Sequence, residues 1–148
     1  MNTLRSLTIG RLLASVLLSV AVPAGVLTVT SPAEAACKKT SITVVIPLTQ
    51  AKHRQIIAHA NWAIKISHYP RVMILNRPGA DARRRAALKS FPAKTGFDRD
   101  EYPAAVGRKV NKAHLAYVNP TQNRSAGAVM GNTLRPYCNG THFRYAGT

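Results

Sequence analysis

The stretch Gly96-Phe97-Asp98-Arg99-Asp100-Glu101-Tyr102-Pro103, GFDRDEYP, carries three carboxylates within four positions. The whole chain of 148 residues has only five acidic side chains against 21 Lys and Arg, a formal net charge of +16. Like charges this close repel and raise one another's pKa unless a cation intervenes. Arginine neighbours can supply that cation, which makes the tetrad a salt-bridged turn. A hard divalent metal, which prefers oxygen ligands, can supply it equally well. In extended backbone Asp98 and Asp100 face one way while Arg99 and Glu101 face the other, so one carboxylate can order a turn while another enters a cleft.

Residues 1–35 have the layout of a secretory signal peptide. Arg5 and Arg11 precede a mostly apolar run from Leu12 to Val29, and Ala33-Glu34-Ala35 is a small-x-small cleavage site. Residues 36–148 are then expected to form one domain, secreted and extracellular, with no membrane attachment after cleavage. Cys37 and Cys138 are the only cysteines, and an oxidising destination favours their pairing. The basic excess suits a polyanion: nucleic acid, anionic cell-wall polymer or lipid headgroups.

Outward from the tetrad, the elements alternate. Ser41–Pro47 reads as a short buried strand and Gln50–His68 as an amphipathic helix with Ile56, Ala60, Ala63 and Ile64 on one face. Trp62 is expected in the core. Arg71–Leu75 reads as a strand, Asn76–Gly79 as a turn, and Asp81 as the N-cap of a basic helix reaching about Ser90. Ala113–Val118 alternates like a strand, Asn123–Leu134 reads as a helix, and Thr141–Tyr145 as a last strand. The fold class is α+β: a small single domain with a short antiparallel sheet flanked by helices. His53, His59 and His68 read as surface or packing residues, because His53 and His59 do not share a helix face at metal spacing; His114 and His142 lie nearer the tetrad.

Three ordered segments, Gly79-Ala80-Asp81 with Arg83 and Arg84, then Gly96–Pro103, then Tyr117–Gly127, resemble the NucA/NucB-type secreted deoxyribonucleases. The resemblance covers roughly residues 71–145. It implies a core similar to ββα-metal (His-Me finger) nucleases, a hairpin followed by a helix around one divalent cation. Asp98-Arg99-Asp100-Glu101 then takes the hairpin position, with a carboxylate, Asp100 or Glu101, replacing the histidine base. Asn123 takes the metal-binding position with Glu101, the ion being Mg2+ or Mn2+. An ordinary carboxylate, with a pKa near 4, is a weak base, so water whose acidity a metal raises is the expected nucleophile. Arg99 is expected in the catalytic group, Arg124 on the scissile phosphate, and Arg83 and Arg84 as further substrate contacts.

The resemblance also marks Met73 and Gly107 as positions where such proteins carry cysteines, which Cys37 and Cys138 would replace as a staple. The loop Arg108–Lys112 is basic where such proteins are often acidic. The implied activity is metal-dependent endonucleolytic hydrolysis of DNA with little sequence specificity, by a monomer, with RNA left open as a substrate; on any inhibitor protein the sequence is silent. Two other readings stand beside it. One is a metal-independent secreted ribonuclease using Glu101, an arginine and His142. The other is a cationic polyanion-binding or antimicrobial protein without turnover.

Overall fold

β-Branched Val44 and Val45 with Ile46 form a first strand, β1 (Val44–Ile46), and Pro47 ends it. The computed structural model describes residues 37–148, so the signal-peptide reading of residues 1–35 lies outside the described residues. Helix α1 (Gln50–Ile66) follows and buries Ile56, Ala60 and Ala63 of the face that its spacing marks as apolar, together with Ile57, while Ile64 is partly buried. Trp62 departs from expectation: it is 47% exposed, on the flank of α1 rather than in the core.

After the two-residue strand β2 (Met73–Ile74) comes the basic helix α2 (Ala80–Leu88). Its N-cap is Gly79, at φ 72°, with no side-chain cap, so Asp81 is a first-turn residue and not the cap. An acidic side chain there still complements the helix dipole. Strand β3 (Asp98–Tyr102) and strand β4 (His114–Val118) pair antiparallel, from Asp98 opposite Val118 to Tyr102 opposite His114. A 3-10 turn, Ala105–Gly107, lies between them. Helix α3 (Pro120–Leu134) and strand β5 (His142–Tyr145) complete the domain.

Two sheets result, where one antiparallel sheet was expected. β5 is central in the order β1-β5-β2, parallel to β1 and antiparallel to β2, while β3 and β4 form a separate hairpin. Phe143, Ile46, Met73 and Leu75 are buried with α1 and α3 residues Ile57, Ala60, Ala126 and Leu134 in one core. The hairpin joins that core through Tyr102, whose ring meets Tyr145 edge-on at 5.8 Å and whose hydroxyl donates to the Pro70 carbonyl. Cys37 and Cys138 are disulfide-bonded, as expected, and Lys38 bridges Tyr137, so the segment before β1 is tied to the chain after α3. Among the described residues, no helix is long and apolar enough to cross a membrane.

Candidate active site

The hairpin lies between α1, α2 and α3, and the alternation of β3 distributes the tetrad among them. Asp98 meets α3: Arg124 donates to it through Nε and Nη2, at 3.1 and 3.2 Å, and Asn123 Nδ2 lies 3.3 Å from it. The Arg124 hydrogen bonds hold the Asp98 carboxyl below its ordinary pKa. Asp100 meets α1, where its Oδ2 is 2.6 Å from His59 Nδ1. Glu101 and Arg99 meet α2. Arg99 Nη1 donates to the Phe91 carbonyl at 2.8 Å, fastening β3 to the chain just after α2.

Glu101 is the unusual group. It is 5% exposed, and Arg84 Nη1 stands 2.7 Å from each of its oxygens, donating to Oε1. Oε2 lies off the donor direction, is fully buried and has no hydrogen-bond partner. Burial pushes the Glu101 pKa up and Asp100 adds to the effect, against Arg84 and Arg108. A buried carboxylate oxygen normally finds a donor, and leaving it unpaired is costly. Glu101 borders a narrow cleft of about 70 Å³ that is also lined by Arg84, Asp100, Asn123 and Tyr145. That orphaned oxygen, a carboxamide and a second carboxylate make a hard, oxygen-rich donor set that fits a divalent cation.

The position of Asn123 is set by the start of α3. Asn119 caps the helix, its side chain accepting from the Gln122 N–H at 3.1 Å, and Pro120 occupies the first helical position, where its missing N–H costs nothing. The helix therefore starts three residues before Asn123, so Asn123 and Arg124 lie inside its opening turns. α1 keys that start in place. The non-helical dihedrals of His53 interrupt α1, and the Gln55 N–H bonds to Gln122 Oε1, while Gln55 Oε1 accepts from the Asn119 N–H. His53 adds a second tie. Its Nδ1 accepts from the Thr49 N–H, which leaves Nε2 to donate to Ser125 Oγ at 3.1 Å.

The expected residues thus divide. Asp100, Glu101, Asn123 and Arg84 meet at one cleft. Arg124, next to Asn123 on α3, is bound to Asp98 and its side chain is 75% exposed. Arg83 does not join them: it is buried, and its guanidinium donates to the carbonyls of Ala105, Pro78 and Asn76. Its role is to hold the backbone between α2 and the 3-10 turn. Arg108, in the basic loop, is likewise buried and donates to the carbonyls of Pro103, Arg83 and Val110. His142 is exposed on β5, and strand alternation turns it away from Tyr145, which lines the cleft.

Sequence reasoning missed His59. It is buried, and besides Asp100 it meets His114 Nδ1 through Nε2 at 2.8 Å, with exposed Trp62 packed on the His114 ring at 4.3 Å. Helical spacing gave no sign of it, because the partners come from β3 and β4, 41 and 55 residues away. The row Asp100–His59–His114 commits the Asp100 oxygen nearest α1, whereas Glu101 Oε2, beside the Arg84 guanidinium, receives no hydrogen bond.

The chain is 36% identical to the DNA-entry nuclease of Bacillus subtilis (strain 168) over 91 residues, 61% of this chain and 61% of that protein. It therefore spans about three fifths of the length of the curated relative it matches. No family model matches. The similarity to that nuclease supports the NucA/NucB-type resemblance carried by the tetrad and its two flanking segments.

Proposed function

We propose that the chain is a secreted, metal-dependent endonuclease that hydrolyses DNA phosphodiester bonds with little sequence specificity, acting as a monomer. The observation that carries this reading is the buried, unpartnered Oε2 of Glu101 in a cleft shared with Asp100, Asn123 and Arg84. The similarity to a DNA-entry nuclease supports DNA as the substrate.

Each residue has a task that follows from its setting. Exposed Arg124 and the half-exposed Arg84 take phosphate oxygens, contacts that position the backbone and carry no sequence information. Glu101, at the wall of the cleft, accepts the proton of the attacking water. His59 holds Asp100 in place beside it. Arg84, next to Glu101, stabilises the charge that develops on the phosphoryl oxygens as the leaving oxygen departs. Asn123 and Glu101 would hold the cation, Mg2+ or Mn2+, which when bound supplies Lewis-acid stabilisation of that charge. Among the described residues, no group of three or more His, Cys, Asp and Glu converges on one point. Water and substrate oxygens would therefore complete the shell, the habit of magnesium.

The test is a digest of double-stranded DNA, single-stranded DNA and RNA, each with magnesium, manganese, calcium or EDTA, with plasmid nicking by Glu101→Gln, Asp100→Asn and Asn123→Ala. Loss of general-base catalysis is worth about 10²–10⁴-fold, and that loss is expected for Glu101→Gln; Asn123→Ala is also expected to be strongly impaired. Activity that survives full chelation would sink the metal dependence, and unchanged nicking in all three variants would remove the site.

A further inference from the structure

Beyond the Glu101 cleft, the surface of β3 continues into a hollow of about 350 Å³ lined by Arg84, Leu88, Ala93, Phe97, Asp98 and Arg99. Arg84 belongs to both spaces, so the hollow and the cleft share a wall. A further polar depression along α2 adds Arg85 and Lys89. These cations form a basic track that starts at the proposed catalytic carboxylate.

At the far end stands an aromatic ring with no evident use inside the fold. Phe97 is 43% exposed, at the residue before β3, where Gly96 makes the turn at φ 80°. The ring is held from behind. It meets Tyr117 edge-on at 6.4 Å, Tyr117 stacks on Phe91 at 4.4 Å, and the Tyr117 hydroxyl donates to the Pro92 carbonyl at 2.7 Å. Lys94 Nζ lies 4.7 Å from the centre of Phe97 and 5.5 Å from that of Tyr117. Such an ammonium can neutralise a phosphate next to whatever packs on the ring. At the rise of a strand, Phe97 and Glu101 are about 13 Å apart, a separation that an extended nucleic-acid strand can bridge.

We propose that Phe97, backed by Tyr117 and Lys94, is a stacking subsite for an unpaired base of the same strand whose phosphate lies at Glu101. The inference rests on the nuclease reading and deepens it. A flat exposed ring beside a cationic track is the combination that grips single strands, because every base has a π-face and the backbone is a polyanion. Bases of a duplex are already stacked on both faces and paired at their edges, so they leave this ring nothing to hold. The substrate form that uses the whole surface is therefore single-stranded, or a locally opened duplex.

The experiment measures binding without turnover. Glu101→Gln is combined with Phe97→Ala, Phe97→Trp or Lys94→Ala in the mature, disulfide-bonded chain, and fluorescence anisotropy follows a labelled single-stranded oligonucleotide and the duplex of the same sequence across a salt series. Phe97→Ala is expected to weaken single-strand binding about tenfold, and duplex binding by less than about twofold, from the usual worth of base–aromatic stacking. Phe97→Trp restores it. The salt slope stays that of the parent for Phe97→Ala, which removes no charge, and falls by roughly 0.7 for Lys94→Ala. No loss in Phe97→Ala, equal losses on both forms, or failure of Phe97→Trp to restore binding overturns the subsite. If the unmutated chain cuts and binds DNA in any of those cases, the nuclease reading stands without it; a chain that neither cuts nor binds brings down both.

Discussion

Glu101 faces a conflict between folding and chemistry. Burial raises the pKa of Glu101, so the fold favours its protonated form. The stability that follows from that preference is fully present below the ordinary glutamate pKa, about 4.3, and is lost as pH rises through the raised value. At neutral pH an ionised Glu101 therefore weighs against the fold, and Glu101→Gln, neutral and nearly isosteric, is expected to raise Tm in EDTA while abolishing cleavage. The gain should vanish below about pH 4, where both side chains are neutral. Thermal melts of both proteins from pH 3 to 8 check this; a neutral-pH Tm at or below that of the parent would mean the Arg84 pairing outweighs the burial. The alternation of the tetrad was legible in the sequence, because it depends only on the two-residue period of a strand: Asp98 and Asp100 turn to α3 and α1, Arg99 and Glu101 to α2. The contact between Asp100 and His59 was not legible, because the two residues meet only through tertiary packing.

An element acts at this site by where it begins. Pro120 and Thr121 read as leading into a helix at Asn123, yet Asn119 caps α3 and Pro120 is its first residue. A capping side chain followed by proline is a helix-start signal; here it was masked by the polar character of the segment. Asp81 shows the converse error, since Gly79 in the left-handed region ends the turn and starts α2 one residue before the acidic side chain. The long helix α1 and the hairpin strand β4 were legible because each has enough residues to show its period. Arg71–Leu75 and Thr141–Tyr145 read as strands and contain β2 and β5, but the central place of β5, parallel to one neighbour and antiparallel to the other, is not recorded in any local pattern. Because Asn119 sets the opening turns that carry Asn123 and Arg124, Asn119→Ala should cost about 1 kcal/mol of stability and lower cleavage at temperatures where the variant is still fully folded. Asn119→Asp or Asn119→Ser, which keep an acceptor, should retain both properties. Cleavage by the folded Asn119→Ala variant equal to that of the parent would show that α3 holds Asn123 without its cap.

At the scale of the whole molecule, the charge and the cysteine pair were the features that composition revealed, since neither depends on knowing the fold. The disulfide between Cys37 and Cys138 closes a loop with a sequence separation of 101, for which the chain-entropy model gives about 4–5 kcal/mol. It leaves untied the junction between the three-stranded sheet and the 3-10 turn, where the family resemblance marks Met73 and Gly107 as cysteine positions. Those two positions do lie together: a Cβ built on Gly107 would stand 2.8 Å from Met73 Cβ, and also 2.8 Å from the end of the Phe143 ring. A disulfide needs a Cβ separation of about 3.8 Å, so the backbone must open slightly and the Phe143 ring must give way. Met73→Cys with Gly107→Cys is therefore expected to form a second bridge on oxidation. Its stabilisation is at most about 3–4 kcal/mol by the same model, reduced by that strain and by the lost methionine packing. Gly107→Cys alone, which adds the clash without the bond, should be less stable than the parent by about 1–3 kcal/mol. Thiol titration of the denatured double variant, with Tm before and after reduction, separates the outcomes. Two free thiols after oxidation, or a Tm unchanged by reducing the double variant beyond the change seen in the parent, would mean that β2 and the 3-10 turn are held too rigidly by Arg83 and Phe143 to accept the older staple.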